Sequence, residues 1–325
     1  MLFDMNIFRA VIFLVCGLVI LWKCAEFLVE GAVGLAERLG VSHLVVGLTV
    51  VAMGTSAPEV AASIAAVFRE VGGGDLAIGN VYGSNIANLA LVGGLCALIR
   101  PIKVQRSVLR REMPVMMLVA LLLWPFLRNL SLSRLEGIGL LVIFSSLILL
   151  TVQTARKEEQ KNQSISEQTA TSNMNSMKKC ILFVLAGLAG LALGAKITVD
   201  GAVFIGIQIG LSEAVIGLTI IAVGTSLPEL ATCLVAAIKG QDDISIGNLV
   251  GSNIFNTLLV VGAAGSIRPF EIVKRLAGVD YWIMIWVSGV FIAIALMAKE
   301  IGRIGGAILF AGYAAYIVLN ISGVI

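Results

Sequence analysis

The stretch Gly54-Thr-Ser-Ala-Pro-Glu59 places a carboxylate, a proline and two hydroxyls inside an otherwise apolar segment, and nearly the same stretch returns as Gly224-Thr-Ser-Leu-Pro-Glu229. A charged side chain and a helix breaker are both costly in hydrocarbon, so they persist there mainly where they serve a function. Their joint appearance in two matching settings therefore indicates a paired site, and the rest of the chain supplies its scaffold.

The composition around these stretches is that of an integral membrane protein. Of the 325 residues, 58% are hydrophobic and only 13% are charged, and the mean hydropathy is +1.00. Soluble globular proteins do not have such a composition. The net charge of +3 gives no reason to expect a nucleic-acid partner. The single histidine and the five cysteines show no metal-ligand spacing, which argues against a zinc site.

Ten apolar windows are long enough to cross a bilayer, for which about 20 helical residues are needed. They form two groups of five on either side of a polar segment, 155–179, which we interpret as a solvated linker. The first window has no cleavage site after it and is expected to be a retained span. The sequence thus predicts an all-α polytopic membrane protein with windows at roughly 8–31, 43–68, 76–99, 112–128, 133–154, 180–205, 213–238, 244–267, 279–298 and 303–322.

The two groups are related by sequence as well as by number. The segment 46–59 aligns with 216–229, and the segment 78–88 aligns with 246–256. Because each group has an odd number of spans, the second copy enters the membrane from the opposite face, and the repeats are inverted. We therefore divide the chain into a first repeat, 1–154, with its motif at 44–101, the linker, and a second repeat, 180–325, with its motif at 214–269.

The distribution of Lys and Arg predicts the orientation. The loops on the side of the linker hold 14 of these residues and the loops on the other side hold 7. Since cytoplasmic loops are enriched in Lys and Arg, we expect the linker in the cytoplasm and both termini outside. Two ion pairs are also expected near the membrane surface, Lys23 with Glu26 and Lys196 with Asp200.

The paired stretches offer oxygen ligands from broken helices. Pro58 lacks an N–H and crowds the carbonyl of Gly54, so the helix is expected to break there, and Pro228 acts in the same way. Irregular backbone at membrane depth survives where protein or a water-filled cavity satisfies it. The neighbouring polar side chains lie three or four residues apart and so share a helix face; they are Thr55, Ser56 and Glu59, Ser84 and Asn88, and in the second copy Thr225, Ser226 and Glu229, Ser252 and Asn256.

A small-residue pattern predicts close packing of the helices that carry these residues. Gly79 and Gly83 in the first copy, and Gly247 and Gly251 in the second, are spaced by four residues. In membranes such pairs let two helix backbones approach closely. The helix with Ser84 and the helix with Ser252 are therefore expected to pack tightly against broken helices.

The chemistry of this set favours a hard cation. Two carboxylates with hydroxyl, amide and carbonyl oxygens suit Ca²⁺ or Na⁺, and they do not suit zinc, copper or iron. Structural interpretations exist for each residue taken alone: a membrane proline can be a simple kink, a buried glutamate a hydrogen-bond partner, and Ser and Asn can join helices. The duplication of the whole arrangement favours the site over these alternatives.

The paired G-T-S-x-P-E and G-S-N-I-x-N motifs resemble the α-repeats of the sodium/calcium exchanger family, within the calcium/cation antiporter superfamily. The resemblance covers both repeats and is nearest to the short prokaryotic inner-membrane members. It implies that Glu59 and Glu229 are central Ca²⁺ ligands. The same resemblance implies further oxygen ligands from Thr55, Ser56, Thr225, Ser226, Ser84, Asn88, Ser252 and Asn256 and from the backbones of Ala52 and Ala222.

One position departs from the family pattern, because many exchangers have aspartate where this chain has Asn256. Two carboxylates balance one Ca²⁺ or two monovalent ions, which argues against potassium co-transport and against a stoichiometry of three sodium ions. The resemblance implies a Ca²⁺/Na⁺ antiporter of the inner membrane with no resident cofactor. The sequence is compatible with a monomer and leaves the oligomeric state open. A Ca²⁺/H⁺ antiporter remains open, since two acids suffice for it, and a cation channel or a membrane sensor is a more distant alternative. An enzyme is not expected, because no nucleophile, base and orienting group converge and no phosphate-binding loop is present in the sequence.

Overall fold

The computed structural model describes residues 6–162, 176–211, 216, 220 and 222–322, and within them the chain is almost entirely helical. The first half contains α1 (Ile7–Leu39), α2 (His43–Thr55), α3 (Ala57–Val67), α4 (Gly73–Ile99), α5 (Met113–Leu127) and α6 (Arg134–Asn162). The second half contains α7 (Met177–Gln208), α8 (Ala222–Thr225), α9 (Leu227–Ile238), α10 (Asp242–Ile267), α11 (Leu276–Ala298) and α12 (Arg303–Ile321).

Seven of the described helices are long and apolar enough to cross a membrane, or eight if the bent pair of α2 and α3 forms one span. The protein is therefore a polytopic membrane protein. The number falls below the ten predicted spans for two reasons. Helix α5 has only 15 residues, and the segment before α9, where the seventh span is expected, lies largely outside the described residues.

The ends of the linker differ from the sequence-based boundaries. Helix α6 continues through the charged residues 155–162, and α7 begins at Met177, so the part without assigned helix is shorter than 155–179. A charged sequence can extend a helix that is already nucleated in the membrane, because elongation adds one hydrogen bond for each residue fixed. The rest of the linker, 163–175, lies outside the described residues.

The two proline-containing stretches interrupt their helices at equivalent positions. Helix α2 ends at Thr55 and α3 begins at Ala57 after a bend of 41°. In the second half α8 ends at Thr225 and α9 begins at Leu227. Pro58 and Pro228 both lie in the first turn of the new helix, where the missing N–H leaves no intrahelical bond unmade. The sequence located these breaks to within two residues.

The helices that carry the other polar residues of the motifs lie at the centre of the molecule. In α10 and α4, 94% and 78% of the apolar window is buried, whereas in α1 the share is 22%. A π-helical turn interrupts α4 at Ala87–Val92 and α10 at Asn256–Val260. Such turns are common at functional sites because they re-aim the side chains that follow.

Two short β-ladders connect loops between helices, which the all-α prediction did not include. Strand β1 (Ile102–Lys103) pairs antiparallel with β4 (Glu300–Ile301), and β2 (Ser131–Leu132) pairs antiparallel with β3 (Phe270–Glu271). Each strand has only two residues, too few to produce an alternating hydrophobic pattern. The ladders tie the end of α4 to the end of α11, and the end of α5 to the end of α10.

Candidate functional site

The breaks in α2–α3 and α8–α9 bring the two motifs together in the core. The hydroxyl of Ser56, at the first break, donates a hydrogen bond of 3.2 Å to Oε1 of Glu229 in the other half. The hydroxyl of Thr55 donates one of 3.1 Å to Oδ1 of Asn248 on α10. Residues more than 170 positions apart in the sequence thus form one polar cluster, as the duplicated motif predicts.

The two carboxylates of the cluster are completely buried. Glu59 and Glu229 each have 0% of their surface exposed, and they lie close enough to repel each other electrostatically. Each lies in the first turn of its helix, α3 or α9. The partial positive charge of a helix N-terminus stabilises a negative charge there. Nevertheless, two buried like charges are unfavourable unless positive charge compensates them.

Most oxygen atoms of the cluster lack a hydrogen-bond partner within the described part of the chain. These are both carboxylate oxygens of Glu59, Oε2 of Glu229, the hydroxyls of Ser84, Ser226 and Ser252, and the amide oxygens of Asn88 and Asn256, whose amide nitrogens are also unpaired. Buried polar atoms in folded proteins are normally paired, because an unpaired one costs about 1–3 kcal/mol. The concentration of unpaired oxygens around two carboxylates is what a binding site for a hard cation requires.

The helices α4 and α10 place one serine beside each carboxylate. Ser84 is adjacent to Glu59, and Ser252 is adjacent to Glu229, although neither forms a well-aligned hydrogen bond with it. Neither hydroxyl is held by a hydrogen bond among the described residues, so each can turn a lone pair towards a cation. Among the described residues no group of three His, Cys, Asp or Glu side chains converges as a metal site, so any cation held here depends on neutral oxygens as well.

The structure does not join every predicted residue to the carboxylates. Asn88 and Asn256 lie one turn beyond the serines and are fully buried, but their amides make no hydrogen bond to either glutamate. The carbonyl of Ala52 already accepts hydrogen bonds from the N–H of Ser56 at 3.0 Å and the hydroxyl of Thr55 at 3.4 Å, which leaves it reduced capacity as a ligand. Thr225 is half-buried at the second break. Ala222 is the first residue of α8, and its side chain lies outside the described part.

Two asparagines that the sequence analysis did not select also belong to the site. Asn248 accepts from Thr55 through Oδ1 and donates through Nδ2 to Sγ of Cys233 at 3.2 Å. At the equivalent position of α4, Asn80 donates to the carbonyl of Glu59 at 3.3 Å and to the hydroxyl of Ser63 at 2.9 Å. The signal that could have revealed them is an asparagine repeated in both copies inside an apolar helix.

The helix packing around the second carboxylate uses the predicted small residues. A Cβ atom at Gly247 would lie 2.9 Å from the carbonyl oxygen of Leu44, and one at Gly251 would lie 2.7 Å from both the carbonyl oxygen of Leu48 and the Cβ of Ala52. Helix α10 therefore contacts the backbone of α2 directly. Gly79 and Gly83 meet no described atom within 4 Å; the segment expected opposite them, 213–221, lies largely outside the described residues.

Comparison with known proteins gives a consistent result over most of the chain. The family model for the sodium/calcium exchanger protein matches residues 9–153 and 179–322. The putative antiporter CaxA of Alkalimonas amylolytica is 39% identical over 94% of this chain and 97% of its own. The inner membrane protein YrbG of Escherichia coli is 37% identical over 94% and 95%. The sodium/calcium exchanger MaX1 of Methanosarcina acetivorans is 33% identical over 94% and 97%.

Solved structures show the same likeness in three dimensions. The sodium-calcium exchanger NCX_Mj soaked without Na⁺ and Ca²⁺ superimposes with a TM-score of 0.81 at 29% sequence identity, covering 95% of this chain and 98% of its own. The same protein soaked with Na⁺ and Sr²⁺ gives a TM-score of 0.79 at 28% identity, covering 96% of this chain and 99% of its own. The likeness extends over both halves.

Proposed function

Because this chain belongs to the sodium/calcium exchanger family, a family of membrane antiporters, we propose that it exchanges Ca²⁺ for Na⁺ across the membrane by alternating access. The observation that carries the proposal is the buried cluster around Glu59 and Glu229, where three of the four carboxylate oxygens and several neutral oxygens have no hydrogen-bond partner among the described residues. Ca²⁺ takes six to eight oxygen ligands, and a pair of carboxylates balances its charge. The buried cluster offers carboxylate, hydroxyl and amide oxygens of this kind.

The roles of the individual residues follow from their chemistry. Glu59 and Glu229 neutralise the cation and bridge its binding positions, while Ser84 and Ser252 add a hydroxyl from each neighbouring helix. The remaining proposed ligands are the side chains of Thr55, Ser56, Thr225, Ser226, Asn88 and Asn256 and the carbonyls of Ala52 and Ala222. The ions are the cargo, and the proposed activity needs no resident cofactor or partner protein.

The architecture proposed for the complete chain is ten transmembrane helices in two inverted repeats of five. The separate matches of one family model to 9–153 and 179–322 support two equivalent halves. The equivalent breaks at Ser56 and Ser226 support discontinuous second and seventh spans. The distribution of Lys and Arg supports a cytoplasmic linker and outside termini, in the inner membrane of a prokaryote.

Coupling arises because both ions use the same two carboxylates. Na⁺ and Ca²⁺ compete for Glu59 and Glu229. The site becomes accessible from the opposite face of the membrane only when its negative charge is sufficiently neutralised. Protonation of the same carboxylates can replace Na⁺, which makes Ca²⁺/H⁺ exchange the second candidate. A channel on this scaffold would conduct Ca²⁺ without any counter-ion.

Flux measurements on the purified protein in liposomes distinguish these activities. We expect an outward Na⁺ gradient to drive ⁴⁵Ca²⁺ uptake, and a pH gradient in sodium-free buffer to drive none above the protein-free control. Uptake driven only by the pH gradient would establish Ca²⁺/H⁺ exchange instead. Uptake that needs neither gradient, and follows the membrane potential alone, would establish a channel.

The contact between Thr55 and Asn248 predicts a smaller effect on affinity. A hydroxyl that donates to Oδ1 of Asn248 keeps its lone pairs free to bind a cation. Replacing Asn248 with leucine removes the shorter of the two acceptors of the Thr55 hydroxyl and leaves only the carbonyl of Ala52 at 3.4 Å, at a cost of about 0.5–1.5 kcal/mol. We expect the Asn248→Leu variant to raise the Ca²⁺ concentration for half-maximal exchange by about two- to tenfold.

A matched control tests whether this effect is specific. The Cys233→Ser variant keeps an acceptor for Nδ2 of Asn248, as Ser63 does for Asn80 in the first half. We expect this variant to stay close to the wild-type affinity. If Asn248→Leu and Cys233→Ser shift the half-maximal concentration equally, Asn248 has only a packing role and the proposed orientation of Thr55 is wrong.

A further inference from the structure

An ion pair between Lys239 and Glu30 joins the end of α9 to α1. Helix α9 carries Glu229 at its start, and Lys239 follows directly after its end. The ammonium of Lys239 lies 2.7 Å from Oε1 of Glu30, which is on α1. The half-helix that carries a site carboxylate is therefore bound through its far end to α1.

The internal repeat has a cation and a carboxylate at the positions equivalent to Lys239 and Glu30, but these two residues do not form an ion pair with each other. Arg69 follows α3, which carries Glu59, as Lys239 follows α9, and Asp200 on α7 occupies the position of Glu30 on α1. The carboxylate of Asp200 pairs within its own helix with Lys196 at 3.0 Å. The side chain of Arg69 is exposed and makes no ion pair among the described residues.

The packing of the two half-helices differs in the same sense. On α9, Thr232 and Val235 are buried, and Val235 belongs to an apolar cluster with Leu28 and Ala32 of α1. On α3, the equivalent residues Ala62 and Ala65 are exposed. One half-helix is thus covered by a long helix, and its counterpart is not.

Helices α1 and α7 pack closely enough to move together. A Cβ atom at Gly31 would lie 2.9 Å from the backbone nitrogen of Val184, and one at Gly201 would lie 2.7 Å from the carbonyl oxygen of Ala10. Such backbone contacts, made at equivalent positions of both helices, leave no room for side chains between them. A shift that uncovers α9 from α1 therefore carries α7 in the same direction.

Two further equivalent residues, Arg100 and Arg268, also differ in their contacts. The guanidinium of Arg100 donates to the carbonyls of Ala237 and Ile238 at the end of α9. Arg268, its equivalent, is exposed and lines a cavity of about 470 Å³ together with Val67 and Arg69 at the end of α3. Arg100 therefore caps the end of α9, whereas Arg268 leaves the end of α3 bordering a cavity.

We propose that Lys239–Glu30 and Arg69–Asp200 are alternative ion pairs that determine which face of the protein is closed. The first pair holds α1 on α9 in the conformation described above. In the opposite conformation α1 and α7 shift together, the Lys239–Glu30 pair breaks, and Asp200 leaves Lys196 to pair with Arg69 while α7 covers Ala62 and Ala65. The inference rests on the proposed alternating access, and it adds the residues that bias the two conformations.

The strength of these pairs suits this role. The side chains of Lys239 and Glu30 retain 32% and 50% of their exposure, so water screens their attraction and the pair breaks readily. A contact that must form and break in every cycle has to be weak. It can still shift the population of two conformations of similar free energy by a few-fold.

Disulfide cross-linking tests the proposal without measuring ion transport. In a background with the five cysteines replaced, the double variant Arg69→Cys/Asp200→Cys reports how often α7 reaches the end of α3. Adding Lys239→Gln or Glu30→Gln should increase the cross-linking rate roughly two- to fivefold, the range open to a solvated ion pair. Exchanging the charges in Glu30→Lys/Lys239→Glu should return the rate to the starting level.

Lys23 supplies the control, because its ion pair with Glu26 lies within α1. Lys23→Gln should leave the cross-linking rate unchanged. The proposal is overturned if no cross-link forms between positions 69 and 200 in any background, or if Lys239→Gln and Lys23→Gln have the same effect. Because the readout is a covalent bond, a failure of Na⁺-driven Ca²⁺ exchange would overturn the proposed function and leave this result interpretable.

Discussion

Replacing either Glu59 or Glu229 with glutamine is expected to reduce Na⁺-driven ⁴⁵Ca²⁺ uptake by at least about 100-fold, since removing one partner of a buried charge interaction costs about 3–5 kcal/mol. Glutamine has the same shape but no charge, so the cation would lose half of its compensating charge while the fold stays intact. Both variants should behave alike, because both carboxylates are fully buried in one cluster. The measurement is the initial uptake rate in proteoliposomes.

The control for this experiment is Glu112→Gln. Glu112 is also buried, at 8% exposure, but it precedes α5 and is not part of the cluster. We expect this variant to retain exchange within about a factor of two, because glutamine keeps the size of the side chain and the substitution leaves the carboxylates of the cluster unchanged. Activity that survives in both Glu59→Gln and Glu229→Gln, or is lost equally in Glu112→Gln, would contradict the assignment of the site.

The Gly251→Val variant is expected to produce the second largest loss. Even the first carbon of a side chain at this position would lie 2.7 Å from Ala52 and from the carbonyl oxygen of Leu48. Overpacking of this kind costs about 1–3 kcal/mol, and it can be relieved only by moving α2 away from α10. Because Ala52 and Thr55 lie on the displaced part of α2, we expect exchange to fall by about tenfold or more and the melting temperature in detergent to fall with it.

The Gly312→Val variant provides the comparison at a glycine without neighbours. Gly312 lies on the exposed surface of α12, and a Cβ atom there meets nothing within 4 Å. We expect wild-type exchange and an unchanged melting temperature. If Gly251→Val matches Gly312→Val in both measurements, the close contact of α10 with α2 does not position the site.

Much of this organisation could be predicted from the sequence because it depends on strong local signals. A proline beside a glutamate in an apolar run identifies a broken membrane helix, and Ser56 lies at the observed break. The expected ion pairs Lys23–Glu26 and Lys196–Asp200 are present at 2.9 and 3.0 Å, because a spacing of three or four residues fixes the contact within a helix.

Contacts between distant elements could not be predicted in this way. In the sequence Asn248 is one of several polar residues in its helix, and only the structure shows that α10 places it beside Thr55. The sequence gives no sign that Ala62 is exposed while Thr232 is buried, because two equivalent repeats predict equal surroundings for both. In the conformation that the structure shows, α1 covers α9, while α7, the equivalent of α1, leaves α3 exposed.

Equilibrium Ca²⁺ binding to the purified protein tests the central claim most directly, since it asks whether two buried carboxylates hold one ion that Na⁺ displaces. Titration calorimetry in detergent should give one Ca²⁺ per chain for the wild type, with an affinity that falls as Na⁺ is raised at constant ionic strength. The Glu59→Gln/Glu229→Gln double variant should show no binding, while Glu112→Gln binds as the wild type does. Ca²⁺ binding that persists in the double variant, or that is insensitive to Na⁺ in the wild type, would contradict the account.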